Sequence, residues 1–144
     1  MCDKCNYKEI LIDAHLEATN NRMRILEIIG DNPFPLSVKD ICHILERGPV
    51  INRVTVYRIL DLLVDHGVVD RISTGGRAFY YGMAPNQHHL AHPHFYCKHC
   101  GQMDCLSPES VTVDMETLLK TFPGKIDKLE IRVDGTCKNC MKNH

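Results

Sequence analysis

Residue types that bind transition metals are concentrated between His88 and Cys105, in the stretch HHLAHPHFYCKHCGQMDC. The stretch contains a Cys-x-x-Cys pair, Cys97 and Cys100, and a matching pair follows at Cys137 and Cys140. Two such pairs supply the four thiolates that tetrahedral Zn²⁺ prefers, so we predict that these cysteines hold one zinc ion. A four-sulfur site has no open coordination position, which indicates a structural role. The alternatives are a solvated histidine-rich linker and structural thiols without metal.

A second predicted site has mixed ligands. His92 and His94 are two residues apart, so they share one face of an extended strand. Cys105 follows on the neighbouring predicted strand, from which its thiol could turn toward the same ion. Nitrogen and sulfur together favour Zn²⁺ over Fe²⁺ or Mn²⁺, which carboxylate-rich sites suit better. The alternative for Cys105 is a small buried hydrophobic residue.

Further ligands of this second, regulatory site are expected upstream of it. His88 and His89 lie in a predicted hinge, and Asp70 lies at the base of a predicted hairpin. A ligand from either place would couple two domains, although Asp70 could equally be a solvated strand carboxylate. Cys2 and Cys5 form a third Cys-x-x-Cys pair, which is either a pair of ligands or part of a flexible tail.

Composition restricts the class of protein. The chain has 144 residues, enough for one domain or two small ones, and eight cysteines, which in a secreted protein would suggest disulfides. The N-terminus lacks the apolar stretch of a signal peptide, and no segment is long enough to span a bilayer. We therefore expect a reducing, cytoplasmic location and no membrane partner. The net charge of −1 gives no global basic field, so any contact with nucleic acid must come from local placement.

The first half of the chain predicts a winged helix-turn-helix. Apolar periodicity predicts helices over about residues 7–29, from residue 37 onward and over about residues 52–65. Residues 68–72 and 78–81 then predict a two-stranded hairpin around a Ser-Thr-Gly-Gly turn. In a winged helix-turn-helix the third helix lies in the major groove of DNA and the hairpin, or wing, follows the DNA backbone.

The second of these helices begins with a recognisable cap. Ser37 and Asp40 have the spacing of a capping box. Cys42 falls on the apolar stripe of the same helix, so we expect it to be a core residue rather than a metal ligand.

The third helix and the wing carry the expected DNA contacts. The apolar stripe of the third helix turns Thr55, Tyr57 and Arg58 away from the core, with Arg53 at its margin. Arg77 lies just past the tip of the hairpin. We therefore expect these five residues to contact double-stranded DNA through phosphates or base edges.

The rest of the chain predicts a small α+β domain. Residues 94–97 and 102–106 predict strands, the stretch after Pro108 predicts a helix, and residues 129–133 predict a last strand. A domain of about fifty residues has little core, so zinc and dimerisation would both stabilise it. The predicted organisation has three parts: a winged-helix domain over residues 1–83, a hinge over 84–93, and a dimerisation and metal-binding domain over 94–144.

These motifs, in this order, resemble the ferric uptake regulator (Fur) family of bacterial metal-responsive repressors. The resemblance rests on the run Val54–Leu60, on Gly75-Gly76-Arg77, on the His-x-His segment and on the two Cys-x-x-Cys pairs, and it covers about residues 10–140. It implies a dimer of winged-helix domains joined through the C-terminal domains. It also implies that Tyr57 and Arg58 contact DNA, that the four cysteines hold structural zinc, and that metal in a hinge site switches DNA affinity.

Departures from the family pattern bear on the metal. Iron- and peroxide-sensing members usually have a histidine where this chain has Phe34-Pro35-Leu36, an acidic residue where it has Tyr81, and a carboxylate where it has Cys105. Asp70 matches an aspartate ligand of zinc-sensing members, although Met83 stands near where their cysteine would be. The resemblance is therefore closest to the zinc uptake regulator type.

We thus expect a zinc-responsive transcriptional repressor that acts as a homodimer and has no small organic substrate. Iron or peroxide sensing within the same family is the main alternative, and a thiol redox sensor is a second one because Cys2, Cys5 and Cys105 lie outside the four-cysteine set. A zinc enzyme is not expected, since the chain has neither an H-x-E nor an H-E-x-x-H motif.

Overall fold

The computed structural model describes residues 6–85 and 91–142. The chain divides into two compact units, residues 1–90 (unit 1) and residues 91–144 (unit 2). Each unit combines short helices with a three-stranded sheet. Within the described residues, no helix has the length and apolar character needed to cross a bilayer.

Unit 1 begins with two helices, α1 (Tyr7–Asp13) and α2 (Asn20–Asp31). The prediction of one continuous helix over residues 7–29 was wrong. The chain turns between them through His15, which has a φ of 64°, and this turn places Leu16 in the core. Thr19 then starts α2 by accepting a hydrogen bond from the backbone N–H of Arg22.

The next two helices form the helix-turn-helix. α3 (Val38–Leu45) begins with the predicted capping box, in which Ser37 and Asp40 bond to each other's backbone N–H groups. α4 (Arg53–Asp65) is capped by Asn52. Cys42 packs against the core of unit 1, as expected from its place on the stripe. The buried stripe of α4 is the predicted one: Val56, Ile59, Leu60 and Leu63.

The wing is a three-stranded antiparallel sheet rather than the predicted two-stranded hairpin. Strands β2 (Val69–Ser73) and β3 (Phe79–Met83) form the hairpin, and β1 (Leu36–Ser37) adds to the free side of β3. In this register Tyr81 lies opposite both Leu36 and Arg71, and its side chain is buried. A strand of two residues directly before a helix cap carries no periodic signal, which explains why the sequence did not predict it.

Unit 2 is built on strand β4 (His94–Cys97). It pairs antiparallel with β5 (Met103–Cys105) and parallel with β6 (Arg132–Gly135). The predicted last strand over residues 129–133 was therefore placed about three residues too early.

Two short helices complete unit 2. α5 (Met115–Thr121) begins after its cap Asp114, well beyond the predicted start at Pro108. α6 (Lys138–Lys142) was not predicted, since it is only 5 residues long and lies inside the second cysteine pair. Within the described residues, the buried hydrophobic side chains of unit 2 are Cys97 and Met103, whereas those of unit 1 form an extended cluster across all four helices.

Candidate functional site

The two Cys-x-x-Cys pairs converge in unit 2. The sulfur atoms of Cys97, Cys100, Cys137 and Cys140 all lie within 4.8 Å of one another. The Cys97 and Cys140 sulfurs are 3.7 Å apart, and the Cys100 and Cys137 sulfurs are 3.8 Å apart. Zn–S bonds of about 2.3 Å in a tetrahedron place neighbouring sulfurs about 3.8 Å apart. The cluster therefore has the dimensions of a four-thiolate zinc site.

Strand pairing brings the two halves of this cluster together. Cys97 ends β4 and lies opposite Gly135 in the parallel pairing with β6, so the chain leaves β6 directly toward Cys137. The backbone N–H of Cys137 donates to the Cys97 sulfur at 3.3 Å. Cys100 is held by the turn that ends at Gly101, whose φ of 77° suits glycine.

The pKa values of the cysteine thiols also bear on whether the cluster binds a cation. Backbone N–H groups of Cys100 and Cys137 lower the pKa of Cys97 to about 5, which favours its thiolate. Interaction with the Cys137 thiol, together with burial, raises the pKa of Cys140 to about 12. Four sulfurs this close cannot all carry negative charge without a compensating cation, and a divalent metal supplies that charge.

The second group is formed by His92, His94 and Cys105, whose ligand atoms lie within 4.8 Å of one another. His94 and Cys105 are register partners on β4 and β5, and the rings of His92 and His94 have centroids 4.6 Å apart. Cys105 is exposed, so the structure does not make it a small buried hydrophobic residue. The structure thus brings together the three residues that the sequence grouped.

The electrostatics of this group favour a neutral imidazole at His94 and disfavour the thiolate form of Cys105. Burial, followed by the nearby His92, lowers the pKa of His94 to about 4, so its imidazole is neutral at physiological pH, as a ligand must be. Partial desolvation of the Cys105 sulfur, followed by the charge of Asp104, raises the pKa of Cys105, so a metal ion must displace the thiol proton when it binds. Among the described residues this group supplies three ligand atoms, one fewer than the four of a closed tetrahedral zinc site.

The structure does not test the other predicted ligands of this site. His88 and His89 are outside the described residues, as are Cys2 and Cys5. Asp70 belongs to unit 1, where it is half-buried on β2 opposite Gly82. Their roles as ligands stay predictions.

The predicted DNA contacts lie on α4 and the wing. Arg53, Tyr57 and Arg58 are exposed on α4. Thr55 is half-buried, and its backbone N–H donates to the Asn52 side chain at 2.9 Å. Arg77 is exposed beside the hairpin turn, where Gly75 has a φ of 84°.

Arg71 was not predicted from the sequence to have a functional role. Its guanidinium, on β2, donates to the Asp61 carboxylate on α4. It also lies 5.4 Å from the ring centroid of Phe79 and 5.8 Å from that of Tyr81. Arg71 thus connects α4 to the wing, a contact that no pattern in the sequence indicates.

The chain combines a winged helix-turn-helix unit with a small α+β unit that contains a four-cysteine cluster and a histidine-cysteine cluster. This combination is typical of a metal-binding transcription regulator. Comparisons with known proteins support this class. The model of the ferric uptake regulator family matches residues 13–133. The chain belongs to that family, whose members are metal-responsive transcription regulators and not enzymes.

Individual relatives agree with the family. The chain is 31% identical over 138 residues to the ferric uptake regulation protein of Yersinia pestis, covering 92% of this chain and 90% of that protein. The crystal structure of the Vibrio cholerae ferric uptake regulator has a TM-score of 0.74 and 25% identity, covering 92% of this chain and all of the other. A zinc uptake regulator complexed with zinc and DNA shares the fold, with a TM-score of 0.63 and 23% identity over 97% of this chain and 98% of its own.

Proposed function

We propose that this protein is a zinc-responsive transcriptional repressor that binds operator DNA as a homodimer. The observation that carries the proposal is the donor set of the second group, two imidazoles and one thiol within 4.8 Å, formed by His92, His94 and Cys105. Such nitrogen and sulfur ligands suit Zn²⁺, whereas Fe²⁺ and Mn²⁺ sites usually include carboxylates. The regulatory site is completed by His88, His89 or Asp70.

The four-cysteine cluster has a different, structural role. Cys97, Cys100, Cys137 and Cys140 hold structural zinc, which fastens the end of β4 to the segment after β6. Unit 2 needs such a fastening because few of its described side chains are buried.

Dimerisation is supported by the surface of unit 2. Large hydrophobic side chains are exposed on or beside α5, before and on β6, and on α6; these are Val113, Met115, Leu119, Phe122, Leu129, Val133 and Met141. Hydrophobic surface on a small unit is typical of a permanent interface between copies. The proposed partner is a second copy of this chain.

The proposed switch depends on the segment between the two units. Residues 84–93 act as a hinge, and a metal bound by His92, His94 and Cys105 together with a ligand from upstream supplies a rigid link across it. DNA half-sites lie about 34–36 Å apart, or multiples of that distance, so fixing the two winged helices of a dimer in advance lowers the entropy cost of binding. By linkage, DNA then raises the affinity for the regulatory metal by the same factor.

The exposed arginines of α4 and the wing contact the DNA duplex in the proposed complex. Arg53 and Arg58 lie on α4 beside Tyr57, with Thr55 at the edge of the contact, and Arg77 reaches the backbone from the wing. A repressor of this kind works in the cytoplasm.

The test is a DNA-binding titration of protein whose four-cysteine site is filled with zinc. Affinity for duplexes selected from a random-sequence library is measured against buffered Zn²⁺, Fe²⁺ and Mn²⁺, for wild type, for Cys105→Ser and for the control Cys42→Ser. We expect Zn²⁺ to raise affinity in wild type and Cys42→Ser, and much less in Cys105→Ser. A Cys105→Ser variant that responds like wild type would show that the regulatory site is wrongly assigned.

Iron sensing is the second candidate, since the Yersinia pestis and Vibrio cholerae relatives are named as ferric uptake regulators. In the same titration, a response to Fe²⁺ at lower free concentration than to Zn²⁺ would favour it. Oxidised histidine at the second group after Fe²⁺ and peroxide treatment would instead indicate peroxide sensing.

A further inference from the structure

An exposed valine interrupts the polar face of α4. Val54, in the first turn of the helix, is 59% exposed, whereas Val56, two residues later, is fully buried. Other apolar residues off the main stripe, Ile51, Leu62 and Val64, pack against the core of unit 1, and Val54 does not belong to that set among the described residues. Valine is also a mediocre helix former because it is branched at Cβ. Packing and helix propensity therefore give no reason for a valine here.

The neighbours of Val54 identify the surface on which it lies. Residues three and four positions apart meet on one face of a helix, so Val54 shares its face with the exposed Tyr57 and Arg58. Arg53 is exposed beside it, and Asp61, one turn beyond, is paired with Arg71. The face is thus cationic at its N-terminal end, where Val54 is the aliphatic residue and lies beside the aromatic ring of Tyr57.

We propose that Val54 reads the C5 methyl group of a thymine in the major groove. The recognition helix of a helix-turn-helix protein contacts base edges with its N-terminal residues, and Val54 lies in that part of α4. Thymine methyl is the apolar group that the major groove edge of DNA offers, and apolar side chains recognise it by contact. Arginines on the same face would bind guanines or phosphates. The valine would instead distinguish thymine from the other bases, which the arginines cannot do. The inference rests on the proposed binding of operator DNA.

The experiment removes the methyl group from the DNA and the side chain from the protein. The probe is the duplex of highest affinity that the zinc-loaded protein selects from a random-sequence library, with each thymine replaced in turn by uracil, which lacks only the methyl group. Its affinity is measured with wild type, Val54→Ala and the control Val50→Ala. Val50 is 96% exposed and precedes α4, so its substitution makes the same chemical change at an exposed valine outside the helix.

For wild type we expect uracil at one position of each half-site to lower affinity by about fourfold, the effect of leaving one methyl group unburied. Val54→Ala keeps only one methyl group, so it should show a smaller difference between thymine and uracil at that position, while Val50→Ala keeps the wild-type difference. The inference is overturned if no uracil substitution weakens wild-type binding, if the difference is undiminished in Val54→Ala, or if Val50→Ala reduces it as well.

Failure of the underlying function gives a different result. If the zinc-loaded protein enriches no sequence from the library, DNA binding itself is refuted, and the comparison of thymine with uracil is never reached. Val54 is exposed, so Val54→Ala should unfold at the wild-type temperature, and a thermal melt of each variant confirms that the variants are folded.

Discussion

His94 and Cys105 face each other across the antiparallel pairing of β4 and β5, which places an imidazole and a thiol beside His92. With the four-cysteine site filled by zinc, we expect Co²⁺ to enter this second group and to show the intense near-ultraviolet absorption of a cobalt–thiolate bond, because the Cys105 sulfur is a ligand. Cys105→Ser should lose that absorption. Cys42→Ser, which removes a thiol packed against the core of unit 1, should keep it.

Absorption of the same intensity in Cys105→Ser would show that the thiol does not bind the metal. The measurement is a spectroscopic titration at constant free Zn²⁺, low enough to leave the second group open to cobalt.

Removing the structural metal should unfold unit 2 and spare unit 1. Cys140→Ser removes one of the four sulfur ligands. Structural zinc sites contribute on the order of 10 kcal/mol, which is as large as the whole free energy of unfolding of a small domain. Within the described residues, unit 2 buries Cys97 and Met103, whereas unit 1 has an apolar core spanning α1 to α4. The amide resonances of unit 2 should collapse in an NMR spectrum while those of unit 1 remain dispersed. If the resonances of unit 2 stay dispersed, the four-cysteine zinc site is not required to keep unit 2 folded.

Much of the site was predictable because its residues are close in sequence or are paired by strands. Grouping His94 with Cys105 required only two strands joined by a turn of suitable length, which are local properties, whereas His92 joins the group from two residues before β4. The meeting of Cys97 with Cys137 required the long-range parallel pairing of β4 with β6, which the matching Cys-x-x-Cys spacing alone could indicate. The bond between Arg71 and Asp61 had no such signal, since ion pairs between a helix and a strand leave no pattern in sequence.

Errors in the fold occurred where a tertiary contact overrides local pattern. The break between α1 and α2 has neither glycine nor proline, and it exists because Leu16 is buried while His15 adopts a positive φ. Pro108 suggested the start of a helix, yet the side chain of Asp114 caps Thr117 and α5 begins there. Capping residues are common throughout the chain, so the sequence does not reveal which of them the fold uses.

Gly30→Ala should destabilise unit 1. A Cβ at this position would collide with the ring of Tyr7, which is buried and donates a 2.7 Å hydrogen bond to Asp31. Alanine in α2 gains helix propensity of about 1 kcal/mol, but displacing the ring and its hydrogen bond costs about 1–3 kcal/mol, so the net change should be a loss. Chemical denaturation followed by circular dichroism measures it.

Two controls make the Gly30 test specific. Gly76→Ala, where the nearest atom to a new Cβ is 3.8 Å away, should change the free energy of unfolding by less than about 0.5 kcal/mol. In a Tyr7→Ala background the collision is gone, and Gly30→Ala should then be neutral or stabilising. A loss of the same size in both backgrounds would mean that Tyr7 is not the cause.

Arg77→Ala should weaken DNA binding to all sequences alike. Arg77 is exposed on the wing, which in a winged helix-turn-helix follows the DNA backbone, so we expect its guanidinium to neutralise a phosphate rather than to read a base. The slope of log K against log salt should become less steep by about 1. Lys120→Ala on α5, whose ammonium pairs with Glu116 in unit 2, serves as the control and should leave the slope unchanged. A change of sequence preference in Arg77→Ala would instead assign Arg77 to base reading.

Leu119→Glu should dissociate the proposed dimer. Leu119 is 59% exposed on α5, among the hydrophobic side chains of unit 2 that a second copy would cover. Burying a leucine contributes about 1.5–3 kcal/mol, and a symmetric interface loses two of them, so the dissociation constant should rise by at least about a hundredfold. Sedimentation velocity measures the shift, and Lys120→Ala on the same helix should sediment like wild type. A dimeric Leu119→Glu would exclude this face of α5 from the interface, whereas a monomeric wild type would refute the homodimer itself.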